Sequence, residues 1–354
     1  MRARKLRKKV VILYSRLSDY MINVLEYWVK ISEVDLYIYR KNIDSIEAPY
    51  EFKNIGKNIY LFDESNFNKS SLLENVIDID PAMIICSGWM DHRYLTVAKH
   101  FSKKIPTVLT MDTIYAATLR QNIGIIYSQF FLKNKFSHVW VPGNDQANFA
   151  KKLGFAESQI FKGLYVANEK NFSRDIINPN KIFTKRFIFL GRYVDFKGVT
   201  DLWDSFIELQ KEIPNEWKLI SMGTGPLFKN RKKHPSITHL GFIQPNNLKE
   251  HISKGGVFVL PSHYEPWGVV VHEFAHAGFP LILSDSVGAK TAFLNKDNGY
   301  IFKSGDKESL KLAMKKMMEH SLDEIAGMGD NSYTQANKIN KKNWVLTANS
   351  ILNN

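Results

Sequence analysis

The sequence predicts an α/β protein of two successive halves, each a parallel sheet wound by helices. Three observations predict this class. Short runs of β-branched and aromatic residues recur along the chain, separated by amphipathic stretches and turn residues, the pattern of βα units. After a polar passage near residue 175 the pattern starts again. With 354 residues, 44% hydrophobic and 13% aromatic, the chain is long enough to bury a core in each half.

In the first half the predicted strands are Val10–Tyr14, Asp35–Tyr39, Ile59–Phe62, Met83–Cys86, Thr107–Thr110 and His138–Val141, with helices such as Ser18–Lys30 and Tyr94–Phe101 between them. A hydrophilic passage containing Asn171, Asn178, Pro179 and Asn180 reads as the linker. The second half resumes at Arg186–Leu190 and continues at Lys218–Met222, Ile237–Leu240, Val257–Leu260 and Pro280–Ser284. Two such halves imply a cleft, with ligands at the carboxyl ends of strands.

The chain carries 48 Lys and Arg against 35 Asp and Glu, a net charge of +13. Such an excess attracts anions: nucleic acid, phospholipid or phosphorylated small molecules. Six of the first nine residues are basic, namely Arg2, Arg4, Lys5, Arg7, Lys8 and Lys9. They read as a solvated tail or as a patch for an anionic membrane, worth roughly 1 kcal/mol per basic side chain near the surface. The apolar run Val10–Tyr14 is too short for the core of a signal peptide. No stretch approaches the ~20 apolar residues of a membrane span. The single cysteine, Cys86, excludes an internal disulfide and fits a reducing compartment.

The second half holds four patterns that bear on chemistry. In Phe189-Leu190-Gly191-Arg192-Tyr193-Val194-Asp195-Phe196-Lys197-Gly198 a strand ends and its loop delivers Arg192 and Lys197. Two cations there can clamp a diphosphate, although surface Arg/Lys pairs are common. Met222-Gly223-Thr224-Gly225-Pro226 is a tight turn after a strand, and Gly223 and Gly225 permit close backbone approach to a ligand. It lacks the full Gly-x-Gly-x-x-Gly spacing of a dinucleotide site.

The longest pattern runs from Leu260 to Gly278. A strand stops at Pro261, a loop holds Glu265, and a helix opens near Gly268. Amides at that helix start, from Gly268, Val269 and Val270, favour an anion. Glu273 lies about one and a half turns in, and faces the cleft if Val270 and Phe274 face the core. Carboxylates such as Glu265 and Glu273 suit paired sugar hydroxyls because each accepts two hydrogen bonds. Last come Ile282-Leu283-Ser284-Asp285 with Gly288, read as a strand and its ligand-side loop, and Asn298-Gly299-Tyr300-Ile301-Phe302, read as a hairpin-like Asn-Gly turn.

Gly-Arg-x5-Gly, Gly-x-Gly-Pro, Glu-Pro-x-Gly-x4-Glu, Ser-Asp-x-x-Gly and Asn-Gly-x-x-Phe, in that order over about residues 186–320, resemble the donor half of family 4 glycosyltransferases. The resemblance implies a GT-B fold, two Rossmann-like domains facing across a cleft. It implies retaining, metal-independent transfer from a nucleoside-diphosphate sugar, with no cofactor. Arg192 and Lys197 should then bind the donor diphosphate and Glu265 the transferred sugar. Gly268 and Val269 should offer amides to sugar or phosphate. Glu273 should hold the ribose, and Ile243 should meet the base through its backbone. The expected domains are 1–168 for the acceptor, 169–335 for the nucleotide sugar, and a terminal helix at 336–354 returning to the first domain, anchored by Trp344.

Two motifs mislead. His272-Glu273-Phe274-Ala275-His276 matches the zinc-protease pattern, but the helix breaks at Gly278 and no third ligand is well placed downstream. Asp78-Ile79-Asp80 resembles a metal-binding Asp-x-Asp, yet Pro81 and a strand follow, so a turn before a buried strand is the reading.

The first half departs from the family. Its first strand leads to Ser15-Arg16-Leu17-Ser18-Asp19-Tyr20 with no glycine. Ser18 or Asp19 caps the next helix, while Ser15 or Arg16 contacts donor or acceptor. The family's His-Asp position reads Thr110-Met111-Asp112-Thr113, leaving Asp112 to orient or deprotonate an acceptor hydroxyl. Trp89, after another strand, stacks on an acceptor sugar or lies in the core.

The expected reaction moves a hexose-type sugar to a hydroxyl of a lipid-linked or polysaccharide acceptor, in the cytoplasm or at the inner face of a membrane. A sugar-nucleotide epimerase on the same fold is one alternative. A nucleic-acid binder is the other, and no basic-aromatic alternation or known motif supports it.

Overall fold

A computed structural model describes residues 6–15, 17–41, 56–177, 180 and 182–353. Arg16, and Asn178 and Pro179 of the expected linker, lie outside the described residues, as do Arg2, Arg4 and Lys5 of the basic cluster. The chain divides into two compact units, one of Met1–Val166 with Lys341–Asn354, the other of Ala167–Asn340.

The first unit is built on seven strands: β1 (Lys8–Leu13), β2 (Val34–Arg40), β3 (Ile59–Asp63), β4 (Met83–Ser87), β5 (Thr107–Thr110), β6 (His138–Val141) and β7 (Ile160–Lys162). All pair in parallel in the order β3-β2-β1-β4-β5-β6-β7. The central strands β1, β4, β5 and β6 are apolar runs rather than alternating ones, as expected where both faces are covered. Val10, Val11, Leu13, Ile84, Cys86, Val108 and Leu109 are fully buried. The strand order reverses between β1 and β4, and there the carboxyl ends of the strands open a crevice.

The second unit has six parallel strands: β8 (Arg186–Leu190), β9 (Lys218–Met222), β10 (Ile237–Gly241), β11 (Val257–Leu260), β12 (Leu281–Ser284) and β13 (Gly299–Phe302). Their order is β10-β9-β8-β11-β12-β13, so the reversal falls between β8 and β11. The two Rossmann-like sheets expected from the sequence are therefore present.

Several local readings change. Asn298-Gly299 does not turn a hairpin, because Gly299 opens β13, which runs parallel to β12. Buried Asn298 accepts the Asn295 N–H at 2.7 Å and donates to Phe293 O at 2.7 Å, so it closes the loop before the strand. Asp78 and Ile79 belong to the helix Lys69–Ile79, and Asp80 ends it in the left-handed region at φ 55. Ser18 stands at the N-cap of the helix Asp19–Ile31 but makes no capping hydrogen bond through its side chain.

Part of the basic cluster is structural. The Arg7 guanidinium meets Asp35 at 2.5 Å, Lys8 donates to Asn353 Oδ1 at 2.8 Å, and Lys9 donates to Ile79 O at 2.8 Å. The terminal helix Lys341–Leu352 packs within this unit. Trp344 donates its indole N–H to Leu164 O at 2.8 Å and packs against the rings of Trp28 and Trp140, at centroid distances of 5.5 and 4.6 Å. Trp28 donates to Asn349 at 2.8 Å from the other side. This anchor brings an indole, the largest apolar side chain, to bear on a helix too short to be stable alone.

Candidate functional site

In the second unit the loops after β8 and β11 emerge side by side, because those strands are neighbours. The β8 loop carries Arg192 and Lys197, and the β11 loop carries Glu265. His263 and Tyr264 donate backbone N–H bonds to Phe196 O at 2.8 and 3.3 Å, stitching the two loops together. Glycine is required where they touch. Gly198 has φ +63, and a Cβ there would lie 2.1 Å from Pro261 O, so no other residue lets the loops close.

The result is an ion pair between Lys197 and Glu265, whose side chains are only 15% and 13% exposed. Arg192 is exposed, its guanidinium 5.5 Å from the ring of Phe196. Lys197 lies 6.0 Å from the same ring. The loop thus presents two cations around one aromatic, and the lysine is charge-balanced by the carboxylate the sequence assigned to the sugar.

Glu265 is also held through its backbone. Gly288 donates its N–H to Glu265 O at 2.9 Å, Ala289 donates to Trp267 O at 2.9 Å, and Glu265 bridges Val287 in parallel. One end of that turn is fixed by Asp285, which donates its N–H to Phe302 O at 2.8 Å and accepts from Ser304 N at 2.9 Å. The Ser-Asp-x-x-Gly and Asn-Gly-x-x-Phe patterns therefore act as a frame that sets the Glu265 loop. In the same loop Ser262 Oγ and Trp267 Nε1 are buried without a hydrogen-bond partner.

Gly268, at φ +94, opens the helix Val269–His276, and its α-carbon packs close to the Glu265 side chain, where a Cβ would lie 3.0 Å from Glu265 Cγ. The amides of Val269 and Val270 head this helix beside the Lys197–Glu265 pair. Val271, His272, Phe274, Ala275 and His276 are its buried residues. Glu273 is half-buried, as are Val269 and Val270, four and three residues before it. Hence Val270 shares the face of Glu273 instead of joining Phe274 in the core.

His272 is fully buried, and burial, with His276 nearby, pushes its pKa down to about 3. Its Nδ1 accepts the Ala167 N–H at 3.1 Å, so the proton sits on Nε2, which donates to Ala336 O at 3.1 Å. Both ring nitrogens are committed to backbone groups, which disposes of the zinc-protease resemblance. Among the described residues no cluster of His, Cys, Asp and Glu could hold a metal ion.

Gly223 and Gly225, at φ +140 and +150, pack on the β8 loop, where a Cβ at either would come within 1.8 Å of Gly191 O or 2.6 Å of Tyr193 O. Their small size is thus explained by neighbouring backbone before any ligand is invoked. Gly223 also donates its N–H to Gly241 O at 2.7 Å, which ties the turn to the segment bearing Ile243, itself half-buried.

The first unit has its own pocket, of about 470 Å³, at the β1/β4 reversal. Tyr14, Ser15, Trp89, Met90, Asp112 and Tyr165 line it, so three of the sequence-selected residues come together there. Tyr165 donates its hydroxyl to Asp112 Oδ2 at 3.2 Å, and Tyr20 packs edge-on to Tyr165 at 5.6 Å. Burial raises the pKa values of Tyr14 and Tyr165 well above the ordinary phenol value, so both stay neutral donors beside a carboxylate. Trp89 both lines the pocket and packs against the core. Sequence reasoning missed Tyr14, Tyr20 and Tyr165. Tyr14 and Tyr20 flank the loop that was singled out, but Tyr165 arrives from beyond β7, and no local signal places it there.

Residues 172–335 match the model of the family described as glycosyl transferases group 1. Among curated relatives, the 2-deoxystreptamine N-acetyl-D-glucosaminyltransferase of Niallia circulans is 27% identical over 132 residues, covering 34% of this chain and 33% of that protein. The N,N'-diacetylbacillosaminyl-diphospho-undecaprenol alpha-1,3-N-acetylgalactosaminyltransferase of Campylobacter jejuni is 25% identical over 219 residues, covering 55% of each. The chain spans about a third of the length of the first curated relatives it matches. Among solved structures, Anabaena HepE in complex with UDP and glucose superposes with a TM-score of 0.69 at 14% identity, over 98% of this chain and all of that one. The fold is that of the GT-B glycosyltransferases, and the segment that carries Arg192, Lys197, Glu265 and Glu273 is the one that matches glycosyl transferases group 1.

Proposed function

We propose that the chain is a retaining glycosyltransferase that moves a hexose-type sugar from a nucleoside-diphosphate sugar to a hydroxyl of a lipid-linked or polysaccharide acceptor. The observation that carries the reading is the convergence of Arg192, Lys197, Glu265 and the head of the helix Val269–His276 at the β8/β11 reversal.

Departure of the diphosphate builds negative charge. Arg192, Lys197 and the amides of Val269 and Val270 stabilise it in the role a metal ion fills elsewhere. Lys197 is oriented by Glu265 before the donor arrives, so no rearrangement of a floppy side chain is needed at the moment of reaction. Glu265 keeps one oxygen on the lysine and offers the other to sugar hydroxyls. Ser262 Oγ and Trp267 Nε1, buried without partners, are polar groups that a bound donor and a tightened loop satisfy. Glu273 takes the ribose hydroxyls, and Ile243 meets the base.

On the acceptor side, Asp112 and the Tyr165 hydroxyl orient the attacking hydroxyl, with Ser15 and Trp89 around the acceptor. The acceptor oxygen bonds to the anomeric carbon as the carbon–oxygen bond to the diphosphate breaks. The hydroxyl proton passes to the leaving phosphate oxygen on the same face. The named substrate of the Campylobacter relative is undecaprenol-linked, which favours a lipid-linked acceptor and a place at the inner face of a membrane. The HepE complex with UDP and glucose favours a nucleoside diphosphate hexose.

The test is incubation with UDP-, GDP- and ADP-hexoses and an undecaprenyl-diphosphate sugar, with NMR assignment of the product anomer. Transfer with retention, undiminished by a chelator, supports the proposal. Inversion, or donor epimerisation without transfer, overturns it.

A further inference from the structure

The helix Leu119–Phe131 of the first unit stands out for what it leaves uncovered. Ser128 is its buried residue. Leu119, Ile123, Ile126, Tyr127 and Phe130 are 81%, 69%, 71%, 68% and 77% exposed. At about 100° per residue these five fall within an arc of roughly 100°, a single apolar stripe. An amphipathic helix normally turns such a stripe inward. Here Gln121, Ile125, Ser128 and Phe131 turn inward, Ile125 and Phe131 packing on the core, and a second apolar face meets solvent.

The helix is nevertheless well made. Thr118 caps it by accepting the Gln121 N–H at 3.2 Å, and Gln121 donates to Ile114 O at 2.9 Å, fixing the approach. Lys135 closes the other end, donating to Phe131 O at 2.8 Å. The stripe is therefore held in a defined orientation.

Charge around it has one sign. No Asp or Glu occurs between Asp112 and Asp145, while Arg120, Lys133 and Lys135 do. The neighbouring helix Asn144–Lys152 ends beside it, since Gly154 packs against Gln129 and Lys133, and Lys152 lies 4.6 Å from the Tyr115 ring. Lys151 in that helix is paired with Glu157. Burial lowers the pKa of Lys135, and the charge of Lys99, in the last turn of the helix His92–Phe101, adds to the effect.

We infer that the helix Leu119–Phe131 is a membrane-docking element, which lays its Leu119–Ile123–Ile126–Tyr127–Phe130 stripe into the interface of an anionic bilayer while the exposed Arg120 and Lys133 meet the lipid phosphates. An apolar stripe in a cationic border, with an aromatic pair at its end, is what an interfacial helix presents to anionic lipid. A second copy of the chain fits poorly. Five side chains offer roughly 500 Å² against the roughly 800 Å² per partner of a stable interface, and a two-fold contact would oppose cation to cation. The inference deepens the membrane-surface part of the proposed function. It replaces the basic amino terminus, part of which is tied down inside the unit, with a folded element next to the Asp112 pocket in sequence.

The test uses the full chain with extruded vesicles of phosphatidylcholine alone or with about a third phosphatidylglycerol. Sedimentation should show binding to the anionic vesicles only. Ile123→Ser/Phe130→Ser and Arg120→Glu/Lys133→Glu should each weaken it about ten-fold or more at unchanged melting temperature. Binding by the variants equal to that of the wild type overturns the inference, as does absence of wild-type binding. A wild-type dimer that the first variant makes monomeric overturns it in favour of a second copy. Nucleoside-diphosphate binding, read by thermal shift on the same samples, reports on the catalytic reading separately.

Discussion

Lys197 and Glu265, 68 residues apart, form an ion pair with both side chains largely withdrawn from water. The pair joins the loop after β8 to the loop after β11, so the cation proposed for phosphate and the carboxylate proposed for sugar are set by one contact. Withdrawing two charges is costly unless each compensates the other, and breaking such a pair leaves the survivor unpaired. Lys197→Ala should therefore lower stability by about 1–3 kcal/mol, and Glu265→Gln by less. Both should cut kcat/KM at least ~100-fold. A double variant no less stable than Lys197→Ala, measured by denaturant unfolding, would show the coupling. Additive losses would count against it.

Gly198 offers a test of loop closure that is independent of charge. Gly198→Ala puts a methyl group 2.1 Å from Pro261 O at φ +63. Gly305, at φ +74, has nothing within 4 Å of its Cβ position. Gly305→Ala should cost only the left-handed penalty of about 1–2 kcal/mol. Gly198→Ala should cost clearly more and also weaken donor binding. Equal melting temperatures for the two variants would contradict the contact between the loops.

The buried His272 predicts a defined acid sensitivity. Its folded pKa, about 3, lies below the ordinary value of 6.5. The unfolded chain thus binds a proton as pH falls below 6.5 while the folded protein does not. Stability from this group is fully present above pH 6.5 and is lost towards pH 3, at up to about 1.4 kcal/mol per pH unit. Unfolding free energies of His272→Gln between pH 7 and 4 should fall less steeply than those of the wild type. Parallel curves would show that another group carries the acid response.

In the first unit, Asp112 and Tyr165 are proposed to handle the acceptor. Asp112→Asn should lower kcat about 10²-fold or more while leaving donor binding intact. Tyr165→Phe removes the 3.2 Å hydrogen bond to Asp112, and should raise the acceptor KM about 10-fold with donor binding unchanged, because the carboxylate loses the contact that orients it. An acceptor KM unchanged in Tyr165→Phe, with full activity in Asp112→Asn, would remove this pocket from the reaction.

Much of the architecture was legible because parallel strands buried on both faces read as uninterrupted apolar runs, as in Val10–Leu13 and Val257–Leu260. Two strands escaped for physical reasons. β7 has only three residues and no apolar run. β13 begins at an Asn-Gly that resembles a turn, although Asn298 spends its amide on loop closure. The residues proposed for the donor could be named from local pattern, whereas their relations could not. The pairing of Lys197 with Glu265 depends on β8 and β11 being neighbours, and the frame around Glu265 depends on Gly288 and Asp285 meeting it from β12. Val270 was misplaced because the helix is short and apolar all along its first turn, so its period does not reveal which valine faces inward. Tyr165 reaches Asp112 only through the tertiary fold.

A nucleoside diphosphate is proposed to be held at the β8/β11 reversal by Arg192, Lys197 and the head of the helix Val269–His276. Isothermal titration of UDP, GDP and ADP into the wild type, Arg192→Ala and Lys197→Ala tests it most directly. One of the three should bind the wild type and lose about 10-fold or more in affinity in each variant, more steeply at low salt. Wild-type affinity retained in both variants would contradict it.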